Sequence, residues 1–290
     1  LLARRKAEYR LPLHVYAYAL SVAAVAAAYP DVRARMTALY LVVGVFAALA
    51  LVYRRAIETG IATLLFLWPF QLSLELSPLT PHAHSLVQAL LAALGYIPLS
   101  LRLDRAGRRF ALPGYVVGYG LAAFALGASL LGRLGAYPRD VQWVGVAVPL
   151  VVTGQLVFSA YRFRQWPFAW AAAIVFPIAF GQALTLLRIR FEYDATAWVG
   201  LAFAYLLAER WLASRLSPVG RGAGGEGWLK LFRWPLGVGS ALLCALGLLL
   251  TAPGTLSAFA GLPVEQYVPI LLAQSAALAF SIVAARLYRS

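Results

Sequence analysis

One cysteine, one methionine and three histidines are all that 290 residues offer in soft or metal-ligating side chains beyond carboxylates. A lone Cys244 inside an apolar run can form no internal disulfide and no cysteine metal site, so it reads as a small filler. Acids are scarce too: 11 Asp and Glu stand against 25 Lys and Arg. All 11 fall at or beyond the ends of the apolar runs, which excludes the mid-membrane carboxylate of a proton relay and the paired carboxylates of intramembrane hydrolysis. Spacing gives His14, His82 and His84 no carboxylate partner for a Ser-His-Asp group and no facing pair for haem. No catalytic residue, metal site or cofactor is assigned. His82 and His84, in a polar turn with Pro81, read as solvated interface and not as zinc ligands.

Long apolar runs are what the chain does have. Hydrophobic residues make up 62% and charged residues 12%, where a soluble domain carries about 25% charge. Ten runs match the roughly 20 residues that cross a bilayer core as a helix: 13–29, 37–53, 61–76, 84–101, 112–131, 141–160, 168–187, 196–213, 235–251 and 267–284. They are continuous and not alternating, so helices are expected and barrel strands are not. The fold class is therefore all-α, a polytopic integral membrane protein of about ten transmembrane helices. No cleavage site follows the first run, and the chain starts at Leu1 and not at Met, so it reads as a piece of a longer protein.

A formal charge of +14 invites a nucleic-acid reading, but nearly all the basic residues lie between the runs or, like Arg188, at the edge of one, in loops too short for a reading module. Sorted by alternate loops, 19 basic residues with five acids fall on the side of both termini, and six with six on the other. The positive-inside rule then places both termini in the cytoplasm of a cell whose inner membrane holds the protein. Membrane lipids are the expected partners and nucleic acid is not.

The chain also repeats itself. Tyr29-Pro30 is echoed by Tyr137-Pro138, Tyr53-Arg54 by Tyr161-Arg162 and Trp68-Pro69 by Phe176-Pro177, all at an offset of 108. Pro12, Pro113 and Pro235 each open an apolar run. The unit is four helices, giving parallel tandem repeats over 1–111 and 112–234 and a half repeat of two helices over 235–290. In length and helix number the chain resembles the drug/metabolite transporter superfamily, whose ten or so spans are built as five plus five inverted. The four-helix period departs from that plan.

Pro69 and Pro177 sit mid-span and should kink the third and seventh helices, each freeing a carbonyl that a neighbour must satisfy. Gly114-x-x-x-Gly118 presents a small-residue face for close helix contact within the chain. Gly220-Arg221-Gly222-Ala223-Gly224-Gly225 fits a dinucleotide fingerprint in letters alone; with no strand before it, it reads as a linker. The densest polar group is expected at the outer ends. Gln71 and Glu75, spaced i, i+4, share a face, as do His84 and Gln88, and Gln182 and Arg188 are their counterparts in the second repeat. These six form a candidate binding vestibule. The expected function is a transporter or carrier for an apolar or weakly polar solute or lipid. The alternative is a non-catalytic scaffold or subunit of a larger membrane complex, whose partners would be other membrane subunits or further repeats of a longer chain.

Overall fold

The computed structural model describes residues 10–53, 56–105, 107–134, 141–189, 191–215, 229–258 and 267–289. The Gly-rich linker, Arg54, Tyr137 and Pro138 lie outside the described residues, as does the His14 side chain. The described residues are helical apart from short turns, with no strand among them. The helices are α1 (Arg10–Ala27), α2 (Val32–Tyr53), α3 (Ala56–Glu75), α4 (Pro81–Asp104), α5 (Arg108–Leu134), α6 (Gln142–Phe163), α7 (Trp166–Leu186), α8 (Phe191–Arg215), α9 (Lys230–Ala258) and α10 (Tyr267–Arg289).

Eight of these are long and apolar enough to cross a membrane, which makes the chain a polytopic helical membrane protein. The other two are α1, whose apolar stretch Tyr18–Ala27 is short, and α8. The 25-residue α8 carries Glu209 and Arg210 within its length, and these lower its apolarity.

The chain divides into two compact units, Leu1–Val144 and Gly145–Ser290. In the first, Val42 and Phe46 of α2 pack on Ala62 of α3, and the Tyr18 ring of α1 stacks on Phe46 at 5.2 Å. Helix α5 lies close to α4 because its contact positions are glycine. A Cβ on Gly114 would strike the Ser100 hydroxyl, and one on Gly118 would come within 2.9 Å of the Tyr96 Cβ. The small-residue face thus serves packing inside the chain, the use expected for it, since lipid tails supply no hydrophobic drive and close van der Waals contact must hold helices together.

In the second unit a core of Val199, Ala202, Tyr205 and Leu206 on α8 meets Leu243 and Cys244 of α9 and Ala277 and Phe280 of α10. Glycine again sets the spacing. A Cβ on Gly247 would lie 2.7 Å from a Val199 methyl and 3.0 Å from the Ala195 carbonyl oxygen.

Candidate functional site

Helix α4 departs from regular geometry in the turn just ahead of Pro98. Proline brings no N–H, and its ring crowds the carbonyl four residues before it. The helix widens ahead of it: Leu91–Tyr96 form a π-helical turn in which the Ile97 N–H reaches the Ala92 carbonyl, five residues back. Such turns are rare and recur at functional sites because they displace side chains from the regular helical track.

Here the widened turn lines a cavity of about 240 Å³. Leu91, Gly95, Tyr96 and Leu99 form one wall; Val43 and Ala47 of α2 and Ala62, Thr63 and Phe66 of α3 complete it. Both polar side chains on the wall are engaged. The Thr63 hydroxyl donates to the Thr59 and Gly60 carbonyls at 2.9 and 3.0 Å, and the Tyr96 hydroxyl donates to the Thr63 carbonyl at 2.7 Å. What remains for a ligand is apolar surface. The volume exceeds the ~150 Å³ of a dry apolar cavity that accepts benzene.

Beyond the cavity on α3 stand the polar residues expected from the sequence. Phe66 of the wall stacks on Phe70 at 5.9 Å, and Gln71 follows, roughly 7.5 Å along the axis from Phe66. Gln88 on α4 donates to the Gln71 side-chain oxygen at 3.0 Å, and the Gln71 amide nitrogen donates to Glu75 at 3.3 Å. This relay runs from the buried Gln88 to the exposed Glu75. The buried Nε2 of His84 has no hydrogen-bond partner among the described residues. Nor do any three His, Cys, Asp or Glu side chains among them converge as metal ligands would.

Gln182 and Arg188 belong to the second unit, and their surroundings differ from each other. Gln182 is buried against α6, where Gly145 leaves room for its amide; a Cβ there would collide with it. The Gln182 Nε2 has no partner among the described residues. Arg188 is exposed past the end of α7, at φ 54°. Its N–H donates to the Thr185 carbonyl and the Ile189 N–H to the Leu184 carbonyl, a Schellman closure that usually places glycine at this left-handed position.

Pro69 and Pro177 lie inside α3 and α7 as expected. The carbonyl deprived by Pro177 is that of Ala173, and the Tyr205 hydroxyl of α8 donates to it at 3.0 Å. Tyr205 also stands against Gly239 of α9, with the Phe176 ring 6.4 Å away. Tyr96 makes the same set of contacts in the first unit: a carbonyl of α3, Gly118 of α5, and the Phe66 ring at 6.4 Å.

Two acids near span ends are buried and not solvated. Glu58, in the first turn of α3, and Glu209 of α8 are each only 2% exposed. Glu209 is held by Arg233 of α9, Nε to Oε1 at 3.3 Å, and by Arg210, Nε to Oε2 at 3.5 Å. Sequence signals this site only faintly, as an acid and an arginine adjacent in an otherwise apolar stretch. No known protein family, characterised protein or solved structure matches the chain.

Proposed function

We propose that this membrane protein is a carrier that binds an apolar or weakly polar molecule, a lipid chain or a solute of similar character, in the cavity at the π-helical turn of α4. The observation that carries the reading is the pairing of an apolar cavity, whose wall hydroxyls are both engaged, with a polar relay one to two turns beyond it on the same two helices. An apolar body fits the cavity, and a weakly polar end meets the Gln88–Gln71–Glu75 amides and carboxylate. Ligand sites in general combine a mostly apolar lining with a few placed polar groups.

In this reading both termini are cytoplasmic, supported by 19 basic residues on that side against six on the other, and α1 and α8 cross the bilayer with the other eight helices. Pro69 and Pro177 act as kinks. The helices belong to parallel four-helix repeats, supported by the matching surroundings of Tyr96 and Tyr205. That match makes α3, α4 and α5 the counterparts of α7, α8 and α9, in keeping with the four-helix period.

The test is binding of an environment-sensitive apolar fluorophore to the purified protein in detergent, comparing wild type with Ala47→Trp. The indole fills the cavity from α2, so probe affinity should fall at least tenfold with helical content unchanged. Solute uptake into proteoliposomes should fall in parallel. Undiminished probe binding by Ala47→Trp would sink the assignment.

A further inference from the structure

The second unit holds a cavity of a different kind, about 460 Å³, between α8 and α9. Its head is ionic, made of Glu209 and Arg233, and its flank is apolar, made of Trp234, Val238, Ala241 and Leu242, with Gly237 leaving space between them. We propose that it is a binding site for an anionic phospholipid, the phosphate resting on Arg233 and one acyl chain lying along Val238, Ala241 and Leu242 of α9.

Charge complementarity selects this occupant. The Glu209 side chain is 3% exposed and already contacted by two guanidinium groups, so it neutralises one positive charge and leaves a net cationic head. Arg233 commits its Nε to Glu209 yet keeps 55% of its side chain exposed. A planar guanidinium fixed by one edge presents its terminal nitrogens in the fork geometry that phosphate oxygens accept. The carboxylate behind it is buried, so a headgroup ammonium finds no exposed counter-charge there, which disfavours a zwitterionic lipid. Lys230, exposed one turn earlier on α9, adds a further positive charge.

The apolar flank fits an acyl chain and not a free ion. Trp234 is 75% exposed and Leu242 64%, and both stand on the outer surface of α9, where lipid tails lie. An exposed indole beside arginine at a helix end is the usual pattern of the headgroup level. The ionic head and the apolar flank are thus aligned along α9 in the order of a phospholipid's own parts.

The experiment is thermal unfolding and native mass spectrometry of the whole chain in detergent with phosphatidylglycerol, phosphatidylcholine or inorganic phosphate added. Phosphatidylglycerol should raise the melting temperature and remain bound as a discrete adduct, with phosphatidylcholine weaker by about fivefold. Arg233→Gln should lower phosphatidylglycerol retention five- to tenfold. Ala241→Trp, which blocks the flank and leaves every charge in place, should do the same and covers the case in which the charge variant fails to fold. Equal retention of both lipids, unchanged retention in Ala241→Trp, or full stabilisation by inorganic phosphate alone would each overturn the proposal.

Discussion

The Tyr205 hydroxyl of α8 lies 3.0 Å from the Ala173 carbonyl of α7, the one backbone acceptor that Pro177 leaves without its helical donor. The tyrosine therefore supplies across a helix interface what the proline removes within a helix. In an apolar surrounding, an unmet carbonyl has no water to turn to.

Removing that hydroxyl should cost stability in a way that depends on the proline. Tyr205→Phe is expected to destabilise by about 1–2 kcal/mol, and by less than half of that in a Pro177→Ala background, where the backbone N–H restored at that position again serves Ala173. Tyr96→Phe should cost less than Tyr205→Phe, because the Thr63 carbonyl retains Leu67 as an ordinary helical donor. A double-mutant cycle in detergent unfolding measures all three, and additive losses would show that hydroxyl and proline do not share the carbonyl.

Pro98→Ala separates folding from binding. With the N–H restored and the ring gone, α4 is expected to tighten towards regular α-helix, drawing Leu91 and Gly95 from the cavity wall. Removing an interior proline recovers up to about 3 kcal/mol, which the register lost against α5 offsets, so net stability should change little while apolar probe affinity falls. A variant that loses stability and keeps affinity would contradict this account of the turn.

Two glycines with different neighbours should respond oppositely to the same change. Gly247→Ala forces a methyl against Val199 and the Ala195 carbonyl, backbone that cannot yield, and should destabilise by about 1–3 kcal/mol. Gly154→Ala meets nothing within 4 Å and should stabilise by up to about 1 kcal/mol through helix propensity. Melting temperatures of the two variants settle the comparison.

Arg188 holds a left-handed backbone conformation that glycine adopts freely. Arg188→Gly should raise stability by about 1 kcal/mol, and Arg188→Ala should not. Melting temperatures of the two variants in detergent measure the difference.

The parts legible in the sequence were those with a one-dimensional signature. Apolar runs located the helices, and the i, i+4 spacing of Gln71 and Glu75 marked one face correctly because a helix keeps its neighbours local. The Gln88–Gln71 bond is seen only in the structure, where the short turn brings their helices together. The Pro177 carbonyl was foreseen as needing a partner, but Tyr205, 32 residues away from Ala173, was not nameable without the packing. Glu209 was missed for the same reason: an acid near a run's end looks solvated until Arg233 of α9 is seen to cover it. Pro98 is plain in the sequence but its effect is not, since a proline near a span's end usually stops a helix and here the helix widens ahead of it.

The widened turn also keeps α4 in step with α5. Eight residues of regular helix, from Ala92 to Ser100, overshoot two full circles by about 80°, which would carry Ser100 off the line that faces α5. Absorbing one extra residue takes back about 100°, so Ala92 and Ser100 fall within roughly 20° of a common line. They accordingly meet Gly118 and Gly114, which stand four apart on α5. Helix α4 is in effect a regular span with a single-residue insertion. Packing against α5 and the opening towards α2 and α3 are then separable by one codon: deleting a residue between Leu91 and Tyr96 preserves the first and closes the second.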